Sequence, residues 1–342
     1  MNKEPMKLSI LDLVTMYNGE TPAQALQHST ELVQLADRLG YERYWFAEHH
    51  NTKYQMSTSP ELLSAHAAAL TSRINIGSGG VMLPNHSPLK VAEHFSILEG
   101  LHPGRIDLGI GRAPGTDGLT ALALRRSREA VTTYDFPENL DELLNYFSGD
   151  FSEQNPFKDI TASPDRSFSP TIYMLGSSNG GLQFAAEKGL GFAFAAHISS
   201  HLAVPMLRMY RETFQPSSFM KEPKSILALM VITADTDEEA QYLAAPAELQ
   251  WVRWGTGQFV LPPPSLEEAN AHVYSDVEAA VRQDNKGKFV IGSIEKVEKE
   301  LRELAEAALV DEVMILNVLT EKQSRHRAYE LLAQAFDLPA EK

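Results

Sequence analysis

The chain has 342 residues, 45 acidic against 30 basic for a net charge of −15, and no cysteine. That balance argues against nucleic acid or an anionic membrane as main partner, and the missing cysteine excludes disulfides, thiolate metal sites and a cysteine nucleophile. With 43% hydrophobic and 22% charged residues, the composition suits a soluble globule with a sizeable core. No segment approaches the roughly 18 consecutive apolar residues of a membrane span. The first apolar run is too short for a secretory signal, so the expected compartment is the cytoplasm.

Apolar runs alternate with helical patterns along the chain. KLSILDL reads as a strand. It is followed by a helix with Thr21 as N-cap, Pro22 in its first turn and Gly40 at its C-terminal end. YERYWFAEHH is the second strand. Ser59 and Pro60 open the next helix, and INIGSGGVML is the third strand. Ser87 and Pro88 open another helix, and RIDLGIGR is the fourth strand. Residues 113–168 then break the rhythm. They are rich in Pro, Gly, Ser and charge, with helical patches near 120–131 and 138–147, and read as an insertion on the strand-tip side. TIYMLGS, LGFAFAAH and SILALMVITAD follow as strands five to seven, each with a helix behind it. A second irregular stretch covers 251–288. An amphipathic helix and DEVMILNVL, the eighth strand, come last.

Eight strand–helix alternations in one chain predict a single (β/α)8 TIM barrel over 1–342, with its insertions at the C-terminal strand tips. The short, continuous apolar strands suit a parallel sheet buried on both faces. An open doubly wound sheet is the alternative.

In either fold, ligands gather at the C-terminal tips of the strands, and four tips carry chemistry. The second strand ends in Glu48, His49 and His50, an acid and two imidazoles able to move protons, bind a metal or serve as structural donors. Gly79 and Gly80 interrupt the third strand, where glycine marks a bulge or the close approach of a ligand. Arg112 ends the fourth, a guanidinium suited to phosphate or carboxylate. After Gly176 the fifth strand runs into Ser177, Ser178, Asn179, Gly180 and Gly181 at a helix start. Free backbone N–H groups and the helix dipole favour an anion there. The bland alternatives are a histidine bonding a loop, a barrel-closing bulge, an ion pair and an ordinary capped turn. His86 has no spacing argument and reads as a loop residue. Asp12, Asp107 and His197 are the further metal-ligand candidates, but they do not complete a set with the histidine pair, so no metal is expected. No nucleophile elbow or Walker sequence is present.

AEHHN, IGSGGVMLP, HPGRIDLGIGR and GSSNGGLQFAAEKG resemble the bacterial luciferase-like flavin monooxygenases, from Met6 to about Phe336. The resemblance implies a (β/α)8 barrel that takes reduced FMN from a separate flavin reductase and activates O2 at the flavin. By the same resemblance His49 is the catalytic base, with Glu48 and His50 supporting it. Arg112 and Arg128 are phosphate arginines, and Gly176, Ser177, Ser178, Asn179 and Gly180 surround the phosphate. Gly79-Gly80 falls where the family often has a non-prolyl cis peptide against the isoalloxazine. Residues 251–288 fall where the luciferase alpha subunit has a mobile loop, so a lid is expected there. Gly111 stands where that subunit has a reactive cysteine, and Gly176 where it has an acid at the phosphate loop. These two departures put light emission in doubt but leave flavin binding in place.

The function expected from the resemblance is FMN-dependent oxygenation of a small organic substrate, an aldehyde or similar. Two alternatives stand beside it: hydride transfer with the deazaflavin F420, and a flavin-binding protein without catalysis. A metal-dependent hydrolase is more distant. A homodimer is expected, paired through the apolar helices 60–72 and 88–101.

Overall fold

The computed structural model describes residues 6–17, 19–164, 168–258 and 261–340. In chain order the first half contains β1 (Lys7–Asp12), α1 (Pro22–Leu39), β2 (Arg43–Phe46), α2 (Pro60–Ala69), β3 (Asn75–Met82), α3 (Pro88–Leu101) and β4 (Ile106–Gly111). The insertion holds α4 (Gly118–Arg125), α5 (Arg128–Thr132) and α6 (Phe136–Ser148). β5 (Thr171–Gly176), α7 (Asn179–Lys188), β6 (Gly191–Ala195), α8 (Ala196–Ser199), α9 (Ala203–Thr213), β7 (Ser225–Ala234) and α10 (Asp237–Gly255) follow. The chain ends with α11 (Leu266–Ala271), α12 (Asp276–Asn285), β8 (Phe289–Ser293), α13 (Ile294–Ala308), β9 (Glu312–Leu316) and α14 (Lys322–Ala335).

The strands pair in parallel in the order β1 to β7, then β9, and β9 returns to β1, which closes an eight-stranded barrel. The TIM-barrel reading therefore holds, and the open sheet is excluded. The last barrel strand is β9, because β8 lies outside the barrel. β8 pairs with Met230–Ala234, the end of β7 that projects beyond its pairing with β9.

Residues 251–288 are largely helical rather than irregular. α10 continues through Pro246 to Gly255, and Trp251 on it packs edge-on against Phe289 of β8 at 5.7 Å. Ser265 and Ser275 cap α11 and α12, their hydroxyls accepting from the N–H of Glu268 and Glu278. Each is a serine followed three residues later by glutamate, a local signature of a helix start.

Alternation along the strands sorts two cores. Outward side chains such as Leu8, Ile10, Tyr44 and Phe46 pack beneath the helices. Inward ones fill the barrel, with Trp45 and Tyr173 edge-on at 5.1 Å. Below them lies a charged floor. Arg43 donates to Asp107 Oδ2 at 2.6 Å and to Glu312 Oε1 and Oε2 at 2.5 and 3.1 Å. Ser9 Oγ and Trp45 Nε1 also donate to these carboxylates. All five residues are buried. Burial pushes the Asp107 carboxyl above its usual range, and the adjacent Arg43 only partly offsets this. Above the floor the inward positions are small, Gly79, Gly111, Ala193 and Ala228 among them, so the barrel mouth is hollow.

Removing the guanidinium would leave two buried carboxylates facing each other. Arg43→Leu is expected to lose about 3–5 kcal/mol of stability, read from urea unfolding. A loss under about 1 kcal/mol would mean that the floor is held by packing alone.

Candidate active site

The hollow mouth is a cavity of about 930 Å³. Of the residues expected at the site, it is lined by His49, Gly79, Arg112, Gly176, Ser177 and Ser178. Gly80 lies beneath the wall. A Cβ there would sit 2.5 Å from the Gly109 carbonyl oxygen, so β3 and β4 approach as closely as they do only because both positions are glycine. The register of β3 against β4 shifts between Gly79 and Val81, and the Gly79-Gly80 peptide is cis.

Arg112 extends from the end of β4 to the start of α7. Its guanidinium lies where a side chain on residue 180 would begin, since a Cβ on Gly180 would be 2.3 Å from Arg112 Nη1. Among the described residues Arg112 has no carboxylate partner. Ser178, the N-cap of α7, makes no side-chain cap bond and lines the cavity with Ser177. A guanidinium, two serines and the N-terminus of a ten-residue helix thus border one end of the cavity. Asn179 and Gly180 are the first residues of that helix. Arg128 is exposed at the start of α5 and does not line the cavity. Arg125 is the arginine that approaches Arg112: both border a smaller adjoining cavity of about 300 Å³. Arg125 opens the same RRSREA segment that contains Arg128, and the segment alone did not tell which of its arginines borders Arg112.

The acid and two histidines of the β2 tip diverge. Glu48 is fully buried and does not face the cavity. Its Oε1 lies 2.7 Å from His50 Nε2 and 2.8 Å from His86 Nε2, and its Oε2 accepts from the Met82 N–H at 2.8 Å. The carboxylate therefore ties the tip of β2 to the end of β3. His86, read from sequence as a loop residue, belongs to this cluster. Its proximity to Glu48 is a tertiary contact that no local spacing reveals.

His49 lines the cavity, and its backbone N–H donates to the Ser57 carbonyl oxygen at 2.8 Å. Its Nδ1 is buried without a partner. Burial lowers its pKa, an effect that the charge of Glu48 only partly opposes, so the imidazole is neutral at pH 7. His197, at the start of α8, also lines the cavity and interacts with His49. Burial pushes its pKa down to about 4. Asp12 is bonded to Ser29 and Tyr44, and Asp107 to Arg43. Among the described residues no three His, Asp or Glu side chains gather to hold a metal ion. At Gly111 a side chain would meet Met82 Sδ at 2.5 Å, so the Met82 thioether occupies that space.

The sequence of residues 6–319 matches the family model for luciferase-like monooxygenase. A luciferase-like monooxygenase of Escherichia coli (strain K12) is 35% identical over 331 residues, 97% of each chain. The N-acetyl-S-alkylcysteine monooxygenase of Bacillus subtilis (strain 168) is 35% identical over 335 residues, 96% of this chain and 98% of that one. The crystal structure of apo-MsnO8 superposes with a TM-score of 0.88 at 37% identity, covering 98% and 99% of the two chains. The family match places this barrel and its cavity among the flavin-using oxidoreductases. The chain belongs to the luciferase-like monooxygenase family, and as an enzyme it is a flavin-dependent monooxygenase.

The Glu48 cluster has a definite pH signature. Burial opposes charge on both partners, but their mutual hydrogen bonds outweigh it, raising His86 above 6.5 and lowering Glu48 below 4.5. The His86 contribution to stability is complete below 6.5 and is lost as pH rises through its raised folded value. The Glu48 contribution is complete above 4.5 and is lost as pH falls through its lowered folded value. The cluster is therefore expected to stabilise most between about 4.5 and 6.5. Glu48→Gln should flatten the fall in unfolding free energy from about pH 6 to pH 8, measured by urea titration. Parallel pH curves for the two proteins would contradict it.

Proposed function

We propose that the chain is the oxygenase component of a two-component system. It takes reduced FMN from a separate flavin reductase, O2 and a small, largely apolar organic substrate. The observation that carries this reading is Arg112 laid across Gly180 at the start of α7 without a carboxylate partner among the described residues. With Ser177 and Ser178 it offers a fixed positive cradle for a cofactor phosphate. The Gly79 wall leaves room beside it for a flat ring. When bound, the reduced flavin would supply the electrons that activate O2, one oxygen atom passing to the substrate and the other leaving as water.

The chain's own residues do the rest. The apolar wall formed by Leu11, Trp45 and Leu175 excludes water. His49, kept neutral by burial, accepts or returns a proton through its imidazole at the cavity wall. Glu48 positions His50 and His86 behind it rather than reacting. Trp251, Trp254 and Leu261 line the cavity from one side, which supports a lid within 251–288, of which residues 259 and 260 lie outside the described ones. An aldehyde or similar compound fits this chamber. The name of the N-acetyl-S-alkylcysteine monooxygenase relative adds a thioether to the candidates.

The test is anaerobic titration with dithionite-reduced FMN, then mixing with oxygenated buffer and substrate. His49→Ala is expected to slow oxygenation by about 100-fold or more with FMN affinity unchanged. Gly180→Ala should weaken FMN about tenfold by displacing Arg112, with the fold intact. Binding of F420 in place of FMN would replace oxygenation with hydride transfer, and FMN binding without turnover of any candidate substrate would make the chain a flavin carrier.

We infer a homodimer formed through α2 and α3. Leu62, Ile97 and Leu101 on these helices are 68%, 60% and 66% exposed, large apolar side chains left to solvent. Ile97→Glu should reduce the light-scattering mass to that of one chain, 37.9 kDa. A wild-type protein already at that mass would end the idea.

A further inference from the structure

His197 is an imidazole of the cavity wall to which the proposed reaction gives no task. It stands at the start of α8, directly after β6, and lines the cavity. One end of its ring is pinned. Nδ1 lies 3.4 Å from the carbonyl oxygen of Ala228 on β7. A carbonyl oxygen only accepts, so the proton of this contact sits on Nδ1. In a neutral imidazole so held, Nε2 is a bare acceptor.

Nε2 is open to a ligand. Among the described residues it bonds to nothing, and unlike His49 Nδ1 it is not sealed in the wall but keeps accessible surface. The residue as a whole is half-buried. Its accessible part does not lie on the outer surface, because burial pushes the imidazole pKa down to about 4. A ring that protein encloses this closely, and that still has free surface, faces the cavity it lines. The neighbouring charges that act on it, His49 and Lys288, both oppose its protonation. At neutral pH the ring therefore offers a lone pair and no positive charge. An anion gains nothing from it, which separates it from the cradle at Arg112. Ethers, esters and ketones bring only lone pairs of their own, and placing these against Nε2 would leave both sides unpaired.

We propose that His197 is a specificity-determining residue whose Nε2 accepts the hydrogen of a neutral hydroxyl or N–H group on the substrate. The substrate is then an alcohol, an amide or a similar neutral donor on a largely apolar molecule, and an aldehyde engages His197 only as its hydrate. Calling this ligand the substrate rests on the proposed cofactor reading, which sets flavin against Arg112 and the Gly79 wall. Reduced flavin also carries ring N–H groups, so the two sources have to be told apart.

All three tryptophans of the chain, Trp45, Trp251 and Trp254, line this cavity, so tryptophan emission reports its occupancy whether or not flavin is present. The probes are octanol and its isomer methyl heptyl ether, which has the same atoms but no hydrogen to donate. His197→Phe keeps a ring and removes both nitrogens. It is expected to move the ratio of the two affinities about fivefold toward the ether, and His197→Leu should do the same. His197→Gln, which carries an amide oxygen to the region of Nε2, should keep the ratio within about twofold of wild type. Reduced-FMN affinity should be equal in all these proteins. A ratio that His197→Phe and His197→Leu leave unchanged overturns the proposal. So does a reduced-FMN affinity that falls in both, which would assign the acceptor to the flavin ring. If reduced FMN binds to none of the proteins, wild type included, while the ratio shifts as expected, the cofactor reading fails and His197 keeps its part as the acceptor.

Discussion

One guanidinium between two carboxylates sets the lower limit of everything the barrel can hold. Arg43, Asp107 and Glu312 come from three different strands, β2, β4 and β9, and they meet inside a parallel sheet that is otherwise apolar. Buried ion clusters of this kind add little net stability over apolar packing, but they are costly to leave half-made. Each carboxylate needs the guanidinium, so the registers of these strands are tied to one another. Trp45 bonds Asp107 and packs on Tyr173, which covers the charged layer with aromatic rings. That lid on the floor is the base of the cavity. The chemistry above is insulated from the charges below by two side chains.

Above that base, size and polarity are both minimal. Glycine and alanine at the inward positions make the volume, and the buried histidines are held neutral by the same lack of water. A neutral imidazole can take a proton and return it within one turnover, whereas a permanently charged one would compete with the cradle for the cofactor's anion. The molecule thus separates its charges. Among the described residues Arg112 has no carboxylate partner at its side of the mouth, and Glu48 is hydrogen-bonded behind the wall to His50 and His86.

Much of this was legible in the chain because it is local. Strand tips, helix caps such as Thr21 with Gln24, and the Ser-Ser-Asn-Gly-Gly turn each declare themselves within a few residues. What was missed is tertiary. Phe289–Ser293 is a five-residue strand after a lysine-containing turn, and it gains its partner only because β7 is longer than the barrel needs. The irregular stretch was expected to begin at 251, yet α10 runs on to Gly255, and Trp251 in that extension packs on Phe289 of β8. His86 lies in a stretch with no periodic or motif signal, and its place beside Glu48 comes from what the fold sets opposite it. Arg128 shows the converse: a plausible residue in a plausible segment that the helix directs to solvent.

The contact between Arg112 and Gly180 has a meaning for how such a chain can change over time. Residue 180 can carry no side chain while the guanidinium crosses it, and the guanidinium gains its position because nothing stands at 180. The effects of changes at these two sites will not add. A lineage that replaced the arginine would release position 180 from glycine, and one that filled position 180 first would be selected to re-aim or discard the arginine. The two positions, 68 residues apart in the chain, are therefore expected to drift as a pair.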